Sequence, residues 1–185
     1  MQRNAERTRT RILAAATEEF AARGIAGARV NRIAEIAGCN KAMLYAYFGS
    51  KDGLFDAVYT AAVDRYLADV GFDTADLPAY AGRVFDYFEK NPEHQRLNVW
   101  YRLERPEGSA LAAIVAVNKN RLAELRQAQR SGVVPGDFTP AELLALLQAV
   151  ATSWSSMNPE YGASVPGRAA RRAAVVEAVR RLVAG

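Results

Sequence analysis

Between Gly38 and Phe55 the chain reads GCNKAMLYAYFGSKDGLF, which places Lys41 directly after Asn40 and Lys51 directly after Ser50. Asn and Ser are favoured N-caps, so both lysines are expected at helix starts. There the unpaired backbone N–H groups and the helix dipole already favour an anion, and an added ammonium suits a phosphate clamp. Catalysis has no comparable constellation. The chain holds one His, His94, and one Cys, Cys39. It has no Gly-rich phosphate loop and no metal-ligand spacing such as His-Glu-x-x-His. No catalytic residue, cofactor or metal is therefore expected.

Charge points the same way. The net charge of +4 sits in residues 1–52, where nine Lys or Arg face five acids, while the other residues balance at 15 bases and 15 acids. A polyanion would feel that first segment; a solvated basic surface is the alternative. Half the 185 residues are hydrophobic and 24% are charged, an ordinary globular composition. Met1 is not followed by an apolar signal region, and no run is long enough to span a bilayer, so a cytoplasmic location is expected. A lone Cys39 fits a reducing compartment; a small buried packing residue is its expected role, a redox role beside a helix N-terminus being the alternative.

The elements that must position these groups are helices. Apolar residues recur at three- and four-residue spacing along Ala-rich segments, separated by Gly, Pro, Asn and Asp. The pattern predicts an all-α chain of about nine helices. The first runs from about Glu6 to Arg23 and stops at Gly24, the second covers about Val30–Ala37, and the third Lys41–Phe48. A fourth follows Ser50 to about Val70. Further helices are expected over about Leu77–Lys90, Pro92–Arg105, Ser109–Arg130, Pro140–Ser156 and Arg168–Val183. Thr139-Pro140-Ala141-Glu142 has the form of a capping box with proline at N1. The division of domains is placed at 1–52 and 53–185.

Only Gly38-Cys39-Asn40 separates the second and third helices, which allows the sharp reversal of a helix-turn-helix whose second helix enters the DNA major groove. On the third helix Leu44, Tyr47 and Phe48 are expected to face the core. Ala42, Tyr45 and Ala46 lie opposite, flanked by Met43. Ala42 and Ala46 carry no side-chain hydrogen-bond donor. Apolar contact of Ala42, Met43 or Ala46 with thymine methyls would then carry specificity, with Asn31 and Arg32 of the second helix supplying the polar part. Arg3, Arg7, Arg9 and Arg11 read as a basic arm that could reach phosphates or a minor groove, or simply be solvated.

Residues from about Thr10 to Val58 resemble the DNA-binding domain of the TetR family of bacterial transcriptional regulators. The matching residues are Arg11-Ile12-Leu13-Ala14-Ala15-Ala16, Phe20 with Ala22-Arg23-Gly24, and Ile33-Ala34 with Ala37-Gly38. They continue through Lys41, Leu44-Tyr45, Tyr47-Phe48, Ser50-Lys51 and Leu54-Phe55. The resemblance implies a homodimeric repressor of a pseudo-palindromic operator, with a helical domain that binds a small-molecule effector. It implies that Tyr45 and Lys51 touch the DNA backbone and that Lys41 and Ala42 lie against bases or phosphates. The Tyr47 counterpart faces both the core and the groove edge.

One departure is Arg29, which stands where the family has a Thr or Ser cap. The lost acceptor costs about 1 kcal/mol unless another group caps, and a phosphate contact by Arg29 could replace it. By the same resemblance, the last two helices pair with those of a second subunit through residues such as Leu143, Leu144, Leu146, Leu147, Val150, Val175, Val176, Val179 and Leu182, packing within the chain alone being the alternative. His94, Trp100, Tyr101, Asn118 and Trp154 are the candidates to line the effector site, core packing being the alternative for each. A helical ligand-binding protein that has lost DNA recognition is the rival reading.

Overall fold

The computed structural model describes residues 2–105, 111–154 and 164–184. Among them are nine helices and no strand. The helices are α1 (Gln2–Gly27), α2 (Val30–Ile36), α3 (Lys41–Phe48), α4 (Lys51–Asp69), α5 (Leu77–Lys90), α6 (Pro92–Glu104), α7 (Ala112–Arg130), α8 (Pro140–Thr152) and α9 (Arg168–Leu182). The expected ends of the seventh helix before residue 111 and of the eighth after residue 154 lie outside the described residues.

The helix ends follow local chemistry. Thr139 and Glu142 form the expected capping box: the Glu142 carboxylate accepts the Thr139 N–H at 2.8 Å, and Thr139 Oγ1 accepts the Glu142 N–H. The Thr139 N–H and hydroxyl, both donated to the Glu142 carboxylate, hold it below the usual carboxylate range, the backbone bond contributing most. Asp76 caps α5 by accepting from Ala79 N at 2.9 Å. The helical stretch of α1 is broken at Gly24, whose φ of 72° and ψ of −176° are not helical. The expected stop is therefore present, with helical residues resuming beyond it.

The chain divides into two compact units. The first joins residues Met1–Arg65 to Glu93–Leu111; the second joins Tyr66–Pro92 to Ala112–Gly185. The expected boundary at 52/53 does not coincide with this division. Its position falls inside a continuous α4, and α6 packs with the N-terminal helices.

In the first unit, Ile12, Ala16 and Phe20 of α1 are fully buried with Ile33, Leu44, Leu54, Phe55 and Leu97. Phe20 meets Phe55 edge-on at 5.2 Å. Several polar links fasten α6 here. Trp100 Nε1 donates to Ala21 O at 3.3 Å, and the Glu104 carboxylate accepts the Ala26 N–H at 2.7 Å. Tyr101 stacks on Tyr59 at 4.3 Å, while the Tyr59 hydroxyl donates to Asn98 Oδ1 at 2.6 Å. Arg105 pairs with Asp56 and lies over the Phe55 ring. An apolar stripe on α6 shows that one face is buried but not what buries it, and here the partners are α1 and α4.

The second unit is built on α5, whose Leu77, Tyr80, Ala81, Val84, Phe85 and Tyr87 are buried. Leu125 of α7, Leu143 and Leu147 of α8, and Val175 and Val179 of α9 complete that core. Arg171 forks onto Glu89 with bonds of 2.9 and 2.8 Å, and Arg172 Nε reaches Asp86 at 2.6 Å, tying α9 to α5. The leucines and valines expected to meet a second subunit are thus largely spent inside the chain: Leu143, Leu144, Leu147, Val175 and Val179 are buried without one. No helix among the described residues is long and apolar enough to cross a membrane.

Candidate nucleic-acid interface

The turn between α2 and α3 is made by Gly38, at φ 62°, a left-handed conformation that costs a glycine little. Arg11 Nη2 donates to the Gly38 carbonyl at 3.2 Å and so pins the turn to α1. Asn40 caps α3, its Oδ1 accepting the Met43 N–H at 2.7 Å. Ser50 caps α4 in the same manner through Gly53 N at 2.9 Å. Between these two caps Leu44 is fully buried and holds α3 down.

The outward side of α3 is apolar and small. Lys41, Ala42, Met43, Ala46 and Tyr47 are exposed, and Tyr45 is half-buried beneath the Lys41 ammonium, which stands 5.8 Å from its ring centre. Tyr47, expected to face mainly the core, is 37% exposed. Leu44 alone fills the space under so short a helix, and Phe48, half-buried with the Arg9 guanidinium over its ring, closes the far end. Asn31 and Arg32 are exposed on α2. Ile36, at 51% exposure, adds an apolar residue on α2 that periodicity did not single out.

Arg29 takes the N-cap position of α2 with extended backbone and no side-chain cap. Its backbone N–H is instead bound by Glu19 of α1, at 3.1 Å. Glu19 is buried and also faces Arg23 Nε and Arg32 Nε, each at 3.2 Å. One carboxylate therefore orients two arginines and anchors the start of α2. Its i,i+4 spacing to Arg23 was visible in the sequence; its reach to Arg29 and Arg32 depends on the fold.

Lys51 is half-buried and donates to Ala26 O at 2.8 Å, so its ammonium has a protein partner besides any phosphate. The basic residues expected as a loose arm ride on α1, which is helical from Gln2, with Arg7, Arg9 and Arg11 exposed. Cys39 is a half-buried free thiol in the turn.

The five expected effector residues do not share a unit. His94, Trp100 and Tyr101 belong to the first, Asn118 and Trp154 to the second. Trp100 and Tyr101 are engaged in the packing of α6, and the Tyr101 hydroxyl also accepts the Leu111 N–H at 2.9 Å. His94 lies near Glu93 at 3.9 Å, Asn118 is half-buried on α7, and the Trp154 carbonyl accepts from Arg171.

Known proteins place this arrangement. Residues 12–58 match the tetR family of bacterial regulatory proteins, and residues 76–181 match the tetracyclin repressor-like C-terminal domain. The HTH-type transcriptional repressor SCO4008 of Streptomyces coelicolor is 34% identical over 98% of this chain and 97% of its own. The HTH-type transcriptional repressor NicS of Pseudomonas putida is 38% identical over 48% of this chain and 45% of its own. The crystal structure of SCO4942 from Streptomyces coelicolor, a candidate transcriptional regulator, superposes with a TM-score of 0.86 at 43% identity, covering 96% of this chain and 98% of that one. Regulators of this kind bind operator DNA and small-molecule effectors and are dimers. With a relative matched end to end and both parts of the family pattern present, the chain belongs to the TetR family of DNA-binding transcriptional regulators.

Proposed function

We propose that this chain acts as a homodimeric repressor whose two α3 helices enter successive major grooves of a pseudo-palindromic operator. The observation that carries this reading is the outer face of α3. Ala42, Met43, Ala46 and Tyr47 are exposed together on a helix capped by Asn40 and held by buried Leu44. Small side chains let the helix backbone approach base edges closely, and Met43 suits thymine methyls. Lys41, Tyr45, Arg29 and Lys51 fix the register on phosphates, and Asn31 and Arg32 add polar contacts.

Dimerisation is proposed through α8 and α9. Exposed Ala141, Ala145 and Ala149 run along one side of α8, and Ala170, Ala174 and Ala178 along α9. Such small side chains permit close helix approach across a two-fold axis. An effector bound in the second unit would favour one spacing of the two heads over another, and a mismatch with the operator repeat would release the DNA.

Selection of binding sites from a random duplex pool, followed by gel shift across a salt series, tests the proposal. A palindromic consensus bound with a steep salt dependence is expected. Failure to enrich any sequence would leave only the ligand-binding reading.

A further inference from the structure

Arg121 of α7 is 6% exposed, and among the described residues three rings rather than carboxylates face its guanidinium. Its Cζ stands 5.4 Å from the ring centre of Tyr66, 5.4 Å from that of Phe72 and 5.9 Å from that of Tyr80. Nη2 is buried and has no hydrogen-bond partner among the described residues. Ring faces attract a cation, but they accept no strong hydrogen bond, so part of the guanidinium's donor capacity is unused. A buried guanidinium N–H without an acceptor is costly, and a partner arriving from outside the chain would complete it.

The phenols beside it extend the pattern. The Tyr66 and Tyr80 hydroxyls lie 3.0 Å apart and share one hydrogen bond, which leaves one O–H free to donate to a third group. Burial pushes the Tyr80 hydroxyl far above the ordinary phenol range, reinforced by neighbouring Tyr66, so it stays protonated. Phe72 stands edge-on to Tyr80 at 4.9 Å and supplies an apolar wall. All four residues belong to the second unit, and none is among the residues the sequence marked for the effector.

We infer that Arg121, with the Tyr66–Tyr80 hydroxyl pair, is the anchor for an organic monocarboxylate effector whose apolar body lies against the Phe72 and Tyr66 rings. One guanidinium balances one negative charge, and its planar fork matches a carboxylate, which favours this class over a phosphate dianion. The inference rests on the reading of the chain as an effector-controlled regulator and names the chemistry of its effector.

The test is thermal unfolding of the full chain with benzoate and octanoate, each against its neutral amide at equal ionic strength. At ligand concentrations about tenfold above Kd, a carboxylate is expected to raise Tm by roughly 3–6 °C while its amide does not. Arg121→Met should abolish that rise, because it removes the cation and its N–H donors. Arg121→Lys keeps the charge but loses the fork, and should weaken the carboxylate response if the Met variant does not fold. Equal responses to acid and amide, none to either acid, or a carboxylate response that survives unchanged in Arg121→Met overturns the anchor. Operator binding without ligand is measured in parallel. If it persists while the carboxylates fail, only the anchor is wrong; if it is absent, the regulator reading fails whatever the carboxylates do.

Discussion

The Glu19 carboxylate accepts the backbone N–H of Arg29 at 3.1 Å, so the N-terminus of α2 is tied to a buried side chain of α1. This is a capping interaction made from another helix. It satisfies the N–H of the N-cap residue, as the N3 carboxylate of a capping box does, while the first-turn N–H groups that a Thr or Ser would bind have no side-chain cap. Glu19→Ala would leave that N–H, Arg23 and Arg32 without their shared partner. A loss of roughly 1–3 kcal/mol is expected, read from urea unfolding, with weakened operator binding. An unchanged midpoint would mean that water replaces the carboxylate at no cost.

The Arg29 side chain makes no cap bond and is exposed to solvent. Arg29→Thr should therefore restore a side-chain cap, raising stability by up to about 1 kcal/mol, while reducing the salt dependence of operator binding. One phosphate contact per subunit changes the slope of log K against log salt by about 0.9, hence by about 2 for a dimer. An unchanged slope would show that Arg29 touches no phosphate.

Recognition through α3 is testable without altering the protein. Ala42, Met43 and Ala46 are exposed but can donate no side-chain hydrogen bond. Replacing operator thymines by uracil removes only the C5-methyl group. Each methyl in contact should contribute about 0.8 kcal/mol, or roughly fourfold in Kd. Uniform tolerance of uracil across the site would transfer specificity to Asn31, Arg32 or the shape of the DNA.

How much of this was legible depends on the range of the interaction that decides it. Asn40 as a cap, the Thr139–Glu142 box and the Gly38 turn involve neighbours within a few residues, so the sequence contains the whole interaction. Glu19 reaches Arg29 and Arg32 only because α1 and α2 cross, and that crossing is not written in either helix. Trp100 and Tyr101 have the spacing of a pocket wall, yet the same spacing serves Trp100 against Ala21 and Tyr101 against Tyr59. Arg121 was the missed signal: Asn118, Leu125 and Ala128 share its helical stripe, and a charge inside that stripe marks a buried cation.

Gly24 is expected to tolerate no side chain. Its φ of 72° already strains any L-residue, and a Cβ there would collide with Glu104 Oε1 and approach Trp100 Cε3 to 2.8 Å. Gly24→Ala should cost about 2 kcal/mol or more, since both the backbone and the α6 contact must shift. Faster hydrogen exchange at Ala26, whose N–H is bound by Glu104, would locate the damage. A full-strength Ala26 bond in that variant would mean that α6 can retreat without letting go.

Alkaline pH should loosen the same unit through Tyr59. Burial raises its hydroxyl pKa to about 12, partly countered by Arg102, while the unfolded chain holds it at 10.0. The protonated form is therefore favoured by folding. This contribution is complete below pH 10 and is lost as the pH rises from there through 12. Such a shift corresponds to roughly 2–3 kcal/mol. Tyr59→Phe removes the titrating group together with the bond to Asn98, so it should cost about 1 kcal/mol at neutral pH. The variant should then lose less stability than the parent between pH 10 and 12. Tyr80, raised in the same direction in the second unit, contributes equally to the pH dependence of both proteins. The comparison therefore isolates Tyr59: parallel losses in parent and variant would place the alkaline sensitivity elsewhere.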